Sequence, residues 1–138
     1  MTGTDTGTAT GPTVVLDTNA LMMPVECDCR LFEGVERVIG TDAVDYAVPA
    51  TVVAELDKLS EGNGAEATAA RVGRDLADRC RVVETDETYA DDAVVALADR
   101  AAADYVVTND RPLRDRLSDR EVRVIGLRGE TKLAVTHA

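Results

Sequence analysis

Five short apolar runs alternate along this chain with helical stretches, at 14–17, 46–48, 81–84, 105–108 and 122–127. Few folds accept that alternation. A strand buried on both faces is apolar throughout rather than every second residue, as expected of a parallel sheet covered by crossover helices. Between the runs the period lengthens to that of a helix. Leu31, Phe32, Val35, Val38 and Ile39 make one face that ends at Gly40, and Val52, Val53, Leu56 and Leu59 make a second that Thr51 can cap. Glu61-Gly62-Asn63-Gly64 is a turn, 65–80 is an alanine-rich helix, and 111–118 is a short one. Thr88 opens a further helix to about 103, with Asp91 three residues on as an approximate capping box. The order βαβααβαβαβ predicts an α/β fold, a parallel sheet of about five strands with helices on both faces. With 3% aromatic residues, the core must be Val, Leu, Ala and Ile, which disfavours an aromatic-rich barrel. At 138 residues the chain makes one domain, 13–130, between a Thr- and Gly-rich disordered tail at 1–12 and a C-terminal tail at 131–138.

No apolar stretch approaches the roughly 20 residues that span a bilayer, and the amino terminus carries no signal-peptide pattern, so a cytoplasmic protein with no membrane partner is expected. Cys27, Cys29 and Cys80 suit no disulfide framework, and with His137 as the single histidine they disfavour zinc. The net charge is −11, and Lys58 and Lys132 are the only lysines. Abundant acid with scarce lysine is the balance of proteins from salt-adapted (halophilic) organisms, where acidity keeps the surface hydrated. At 1 M salt the Debye length is about 3 Å, so the global charge does not bar nucleic acid.

Acidic residues sit where such a sheet would gather them. Asp17 closes the first run in VVLDTNAL, Glu55 lies in the helical VVAELDKL, Asp92 opens ADDAVVALA, and Asp110 follows YVVTN. Ligands of open α/β sheets bind beyond the carboxyl ends of the strands, where these positions converge. Each has a plainer reading: a turn or cap for Asp17, a rim glutamate beside Lys58 for Glu55, and an N-cap for Asp110. Two consecutive acids at one helix start exceed what capping needs. The cap is assigned to Asp91 and the site to Asp92, with Asp91 as the alternative ligand. Four carboxylates without basic partners repel one another, and a hard divalent cation relieves them.

Asp17-Thr18-Asn19-Ala20-Leu21, Glu55, the run Asp92-Ala93-Val94-Val95-Ala96-Leu97-Ala98 and Thr108-Asn109-Asp110, in that order, resemble the motif set of the PIN-domain nucleases. The phrases TYADDAVV, VVTNDRPLRDRL and VIGLRGETKL look like the archaeal single-domain relatives of the nuclease that processes small-subunit ribosomal RNA precursors. The resemblance implies a PIN-like three-layer sandwich with strand order 3-2-1-4-5, a Mg²⁺ or Mn²⁺ site, RNA as partner, and often a homodimer. A second branch, the VapC-like toxins, would add an antitoxin partner.

The expected activity is metal-dependent endoribonucleolytic hydrolysis, in rRNA processing or ribosome assembly. Asp17, Glu55, Asp92 and Asp110 would hold the metal, and Asn19 and Thr108 would orient the carboxylates. Arg111, Arg114, Arg116 and Arg120, with Arg128 and Lys132, are candidates for RNA contact; Arg71, Arg74, Arg79 and Arg81 form a second cluster. Ordinary surface pairing is the plainer reading of both. No aromatic stacking platform is visible in the sequence. A non-catalytic RNA-binding assembly factor is the alternative from another class. A phosphoacceptor receiver domain ranks lower, because Thr18 stands where its second acid after strand one belongs.

Overall fold

The computed structural model describes residues 11–136. Most of the expected tail at 1–12, and His137, lie outside those residues. Five parallel strands form as the alternation predicts: β1 (Thr13–Leu16), β2 (Asp45–Pro49), β3 (Arg81–Val83), β4 (Tyr105–Val107) and β5 (Arg123–Arg128). Six helices surround them: α1 (Thr18–Glu26), α2 (Leu31–Ile39), α3 (Ala50–Ser60), α4 (Gly64–Ala77), α5 (Ala90–Asp99) and α6 (Arg111–Leu117).

A sixth strand, β6 (Lys132–Thr136), pairs antiparallel with β5, so the sheet runs β3-β2-β1-β4-β5-β6. This corrects the expected C-terminal tail at 131–138. Gly129, at φ 76°, turns the chain back in a conformation that glycine adopts without strain, which brings Lys132 opposite Arg128. The strand is then held from the other side. Leu133 is buried, and the Arg37 guanidinium of α2 donates to its carbonyl at 2.7 Å.

Period-2 alternation along the central strands divides the core between the sheet's two faces. Val14, Leu16, Val48, Val107 and Ile125 join the cluster made with α1, α2, α3 and α4. Val15, Ala47, Val106 and Val124 join the cluster made with α5 and α6. Helix α1, with Pro24 inside it, had not been given a range, and of the two plain readings of Asp17 the cap is the one that holds. Two local expectations change. Helix α3 starts at Ala50 with Pro49 as its N-cap residue, which leaves Thr51 inside the helix rather than capping it. Helix α5 starts at Ala90 after Tyr89, with no side-chain cap, so the Thr88–Asp91 capping box does not form.

The tightest helix contact is between α1 and α4, where Ala69, Ala70, Gly73 and Ala77 present a buried face of small residues. A Cβ on Gly73 would stand 2.8 Å from the Leu21 carbonyl oxygen. Alanine normally favours a helix interior over glycine by about 1 kcal/mol. Here the clash is with backbone, which cannot yield locally, and overpacking of this kind costs about 1–3 kcal/mol. Gly73→Ala is therefore expected to lower the urea midpoint, and an unchanged or raised midpoint would contradict the packing.

Candidate active site

The sheet places its crevice at one seam. The chain proceeds from β1 to β2 to β3 in one direction and returns with β4 on the other side of β1. At such a switch point the connections leave in opposite directions and open a cleft beyond the strand ends. Leu16 pairs with Val107, so the next residues, Asp17 and Thr108, emerge side by side.

Asp17 is 3% exposed, and one carboxylate oxygen accepts the Ala20 N–H at 2.8 Å as the cap of α1. Burial pushes its pKa up to about 7. Hydrogen bonds from the Thr108 hydroxyl and the Ala20 N–H oppose that rise, and the charges of Asp91 and Asp110 add to it. The capping reading is thus correct but incomplete. One oxygen caps, yet among the described residues no cationic side chain pairs with the buried charge.

Thr108 is fully buried and ties the seam together. Its hydroxyl oxygen accepts the Asp110 N–H at 3.0 Å and the Asn19 amide at 3.4 Å, which leaves its proton for Asp17. The Asn19 side-chain oxygen accepts the Asn109 N–H at 3.1 Å. Asn109 in turn accepts the Leu127 N–H at 2.8 Å. Gly126 makes that approach possible, since a Cβ there would lie 3.0 Å from the Thr108 carbonyl oxygen. Asn19 and Thr108 therefore stand where residues that orient the carboxylates would be needed.

Asp110 caps α6, with one oxygen accepting the Leu113 N–H at 3.1 Å. Glu55 projects from α3 at the solvent edge and accepts the Thr18 hydroxyl at 2.5 Å. The two adjacent aspartates of α5 separate. Asp91 has its pKa raised by partial burial first, then by Asp110 and Glu55. Asp92 turns to Arg116 of α6 and forms an ion pair at 2.9 Å. Asp17, Glu55 and Asp110 all lie in the field of Asp91, while Asp92, the expected ligand, pairs directly with Arg116, whose charge also reaches Asp91. Successive helical residues point about 100° apart. The orientation of α5, set by packing, decides which of the two faces the crevice.

The set consists of hard anionic oxygens with no nitrogen or sulfur donor, the type that Mg²⁺ and Mn²⁺ prefer. Among the described residues, no group of three or more acidic, His or Cys side chains is gathered tightly enough to enclose an ion as it stands. By charge and donor type the residues fit such an ion.

The basic candidates divide as well. Arg74 pairs with Asp57 and Asp78, Arg81 with Asp45 and Arg120 with Asp99, while Arg79 lies over the Phe32 ring. Arg111, Arg114, Arg128 and Lys132 form no ion pair within 4.0 Å among the described residues. Arg111 opens α6, Arg128 closes β5 and Lys132 begins β6, all at the sheet end that holds the acids. The sequence had offered these four together with Arg116 and Arg120, without a means of telling them from the paired arginines. It missed Tyr89, which precedes Asp91 by two residues and is exposed at the crevice rim.

Comparison with known proteins gives a family match and matches to solved structures. The family described as "PIN like domain" matches residues 14–130. The solved structure of "the PIN domain endonuclease Utp24" superposes with a TM-score of 0.74 at 25% sequence identity, covering 91% of this chain and 92% of that one. Comparison with curated proteins gives no match.

Proposed function

The chain belongs to the PIN-like domain family, and from that premise we propose that it is a divalent-metal-dependent endoribonuclease acting on precursor ribosomal RNA. Likeness to an endonuclease over nearly all of both chains supports a nuclease. The phrases around Asp91 and Asp110, which resemble the rRNA-processing branch, favour that substrate over a toxin's. The observation that carries the reading is Asp17. It is a buried carboxylate with a raised pKa, surrounded by further acids and without a cationic partner of its own. An arrangement built only for stability would not keep it, because an unpaired buried charge is destabilising.

When bound, Mg²⁺ or Mn²⁺ would lower the pKa of a water and offset charge developing on the phosphate oxygens. The protein's part is to bind and to orient. Asp17 and Asp110 each fix one oxygen on a helix N-terminus, which leaves the other for the ion. Asn19 and Thr108 hold the two strand ends in register, and Thr18 holds Glu55 at the rim. Arg111, Arg114, Arg128 and Lys132 supply the positive edge on which the RNA backbone would lie. Attack by water on phosphorus with departure of the 3′ oxygen leaves 5′-phosphate and 3′-hydroxyl ends.

The test is cleavage of structured precursor rRNA at high KCl with Mn²⁺ or Mg²⁺, alongside Asp17→Asn and Asp110→Asn. Cleavage that both substitutions abolish, with 5′-phosphate products, is expected. Products ending in 2′,3′-cyclic phosphate would refute the mechanism. RNA that is bound but never cut, whichever variant is used, would identify a non-catalytic assembly factor.

A further inference from the structure

A cavity of about 580 Å³ adjoins the acidic crevice and shares Glu55 with it. Helix α3 contributes Thr51, Glu55 and Lys58, helix α4 contributes Glu66, and Tyr89 and Ala90 close the side next to Asp91. We propose that it is a subsite for one unpaired nucleotide of the RNA beside the cut, with its base stacked on the Tyr89 ring and its phosphate paired with Lys58. The proposal deepens the endoribonuclease reading and rests on it.

Two independent observations point to a nucleotide. The Tyr89 ring is 70% exposed, the most exposed of the large hydrophobic side chains among the described residues. It stands at the mouth of a cavity whose volume is that of a small-molecule site. An isolated exposed aromatic is ordinary on a protein surface; one that borders a cavity beside a carboxylate cluster is placed to be covered. Second, Lys58 is the single cation in the lining and forms no ion pair among the described residues. It can therefore take a phosphate without giving up a partner. The lining also holds Glu66, whose carboxylate can accept a hydrogen bond from a base edge. Stacking on tyrosine tolerates every base, which makes this a site for an unpaired nucleotide rather than a reader of sequence.

The test uses the full chain with Ca²⁺ in place of Mg²⁺ and a fluorescein-labelled single-stranded RNA of about ten nucleotides. One base at a time is removed as an abasic residue, and affinity is read by anisotropy. With the wild type, one abasic position is expected to weaken binding about tenfold. Tyr89→Ala should weaken the intact RNA by a similar factor and show no further loss at that position, while Tyr89→Phe should retain both affinity and the abasic penalty. Lys58→Gln should reduce the salt dependence by about one ion. Since Tyr89 lies outside the core, all variants should melt as the wild type does. An abasic penalty unchanged in Tyr89→Ala, or an affinity unchanged by it, would overturn the subsite. Because binding is read without turnover, a chain that binds this way but cuts nothing would refute the nuclease reading alone. A chain that cuts without regard to Tyr89 would refute only the subsite.

Discussion

Asp91→Asn is expected to abolish RNA cleavage, and Asp92→Asn to leave most of it. Asp91 lies in the field of Glu55 and Asp110, which together with partial burial holds its carboxyl above the ordinary range. Removing a ligand should cost more than the roughly 10–100-fold lost when outer-shell partners of a metal are mutated. Asp92 has a different task. Its carboxylate meets Arg116 in a pair whose side chains are 44% and 45% exposed, and exposed pairs contribute about 0–1 kcal/mol. Asp92→Asn should therefore change single-turnover cleavage at saturating Mn²⁺ by no more than about threefold. The reverse order of effects would restore the sequence-based assignment, with Asp92 as ligand and Asp91 as cap.

Asp17→Asn should stabilise the metal-free protein while it eliminates cleavage. The folded-state pKa, about 7, lies above the ordinary carboxyl value of 3.8, so between those values the folded state binds more protons than the unfolded one. Stability of the metal-free wild type then falls as pH rises through that window and stays low above it. Between those two values the destabilisation amounts to at most about 4 kcal/mol. Asparagine keeps the shape and can still accept the Ala20 N–H, but removes the charge. The thermal midpoint of Asp17→Asn should exceed that of the wild type by up to on the order of 10 °C at pH 8, and by little near pH 4. Mg²⁺ or Mn²⁺ should close the gap at pH 8 by stabilising only the wild type, because a ligand that binds the folded state adds to its stability. A wild type at least as stable as the variant at pH 8 without metal would contradict the burial argument.

Several features were legible because they depend on neighbours in sequence. Asp17 had to lie at a strand end and Asp110 just beyond one, since Asp17 directly follows a buried run and Asp110 follows another after Thr108 and Asn109. Thr108 and Asn19 were placed beside them by the same adjacency, and the structure links them through hydrogen bonds. Other features left no such mark. The five residues of β6 carry too little pattern to separate a strand from a tail; burial of Leu133 and the Arg37 bond from α2 make the difference. Tyr89 reads as one aromatic in an otherwise polar loop, and only the packing of α3 and α4 beside it creates a cavity. Arg74 and Arg111 look alike in a sequence. One meets Asp57 from the neighbouring helix and the other meets no acid, because the carboxylates that neutralise an arginine come from distant positions.

The sequence by itself determined the alternation of strands and helices, the end of the sheet at which the acids collect, and the motifs that resemble one nuclease family. Each follows from side-chain period and chain connectivity, which act over a few residues. The tertiary structure decided that Asp92 pairs with Arg116, which other arginines meet acids among the described residues, and that an exposed tyrosine has a cavity beside it. Those outcomes depend on the rotation of a helix about its axis and on fields summed over elements far apart in the chain, and neither is written in local pattern.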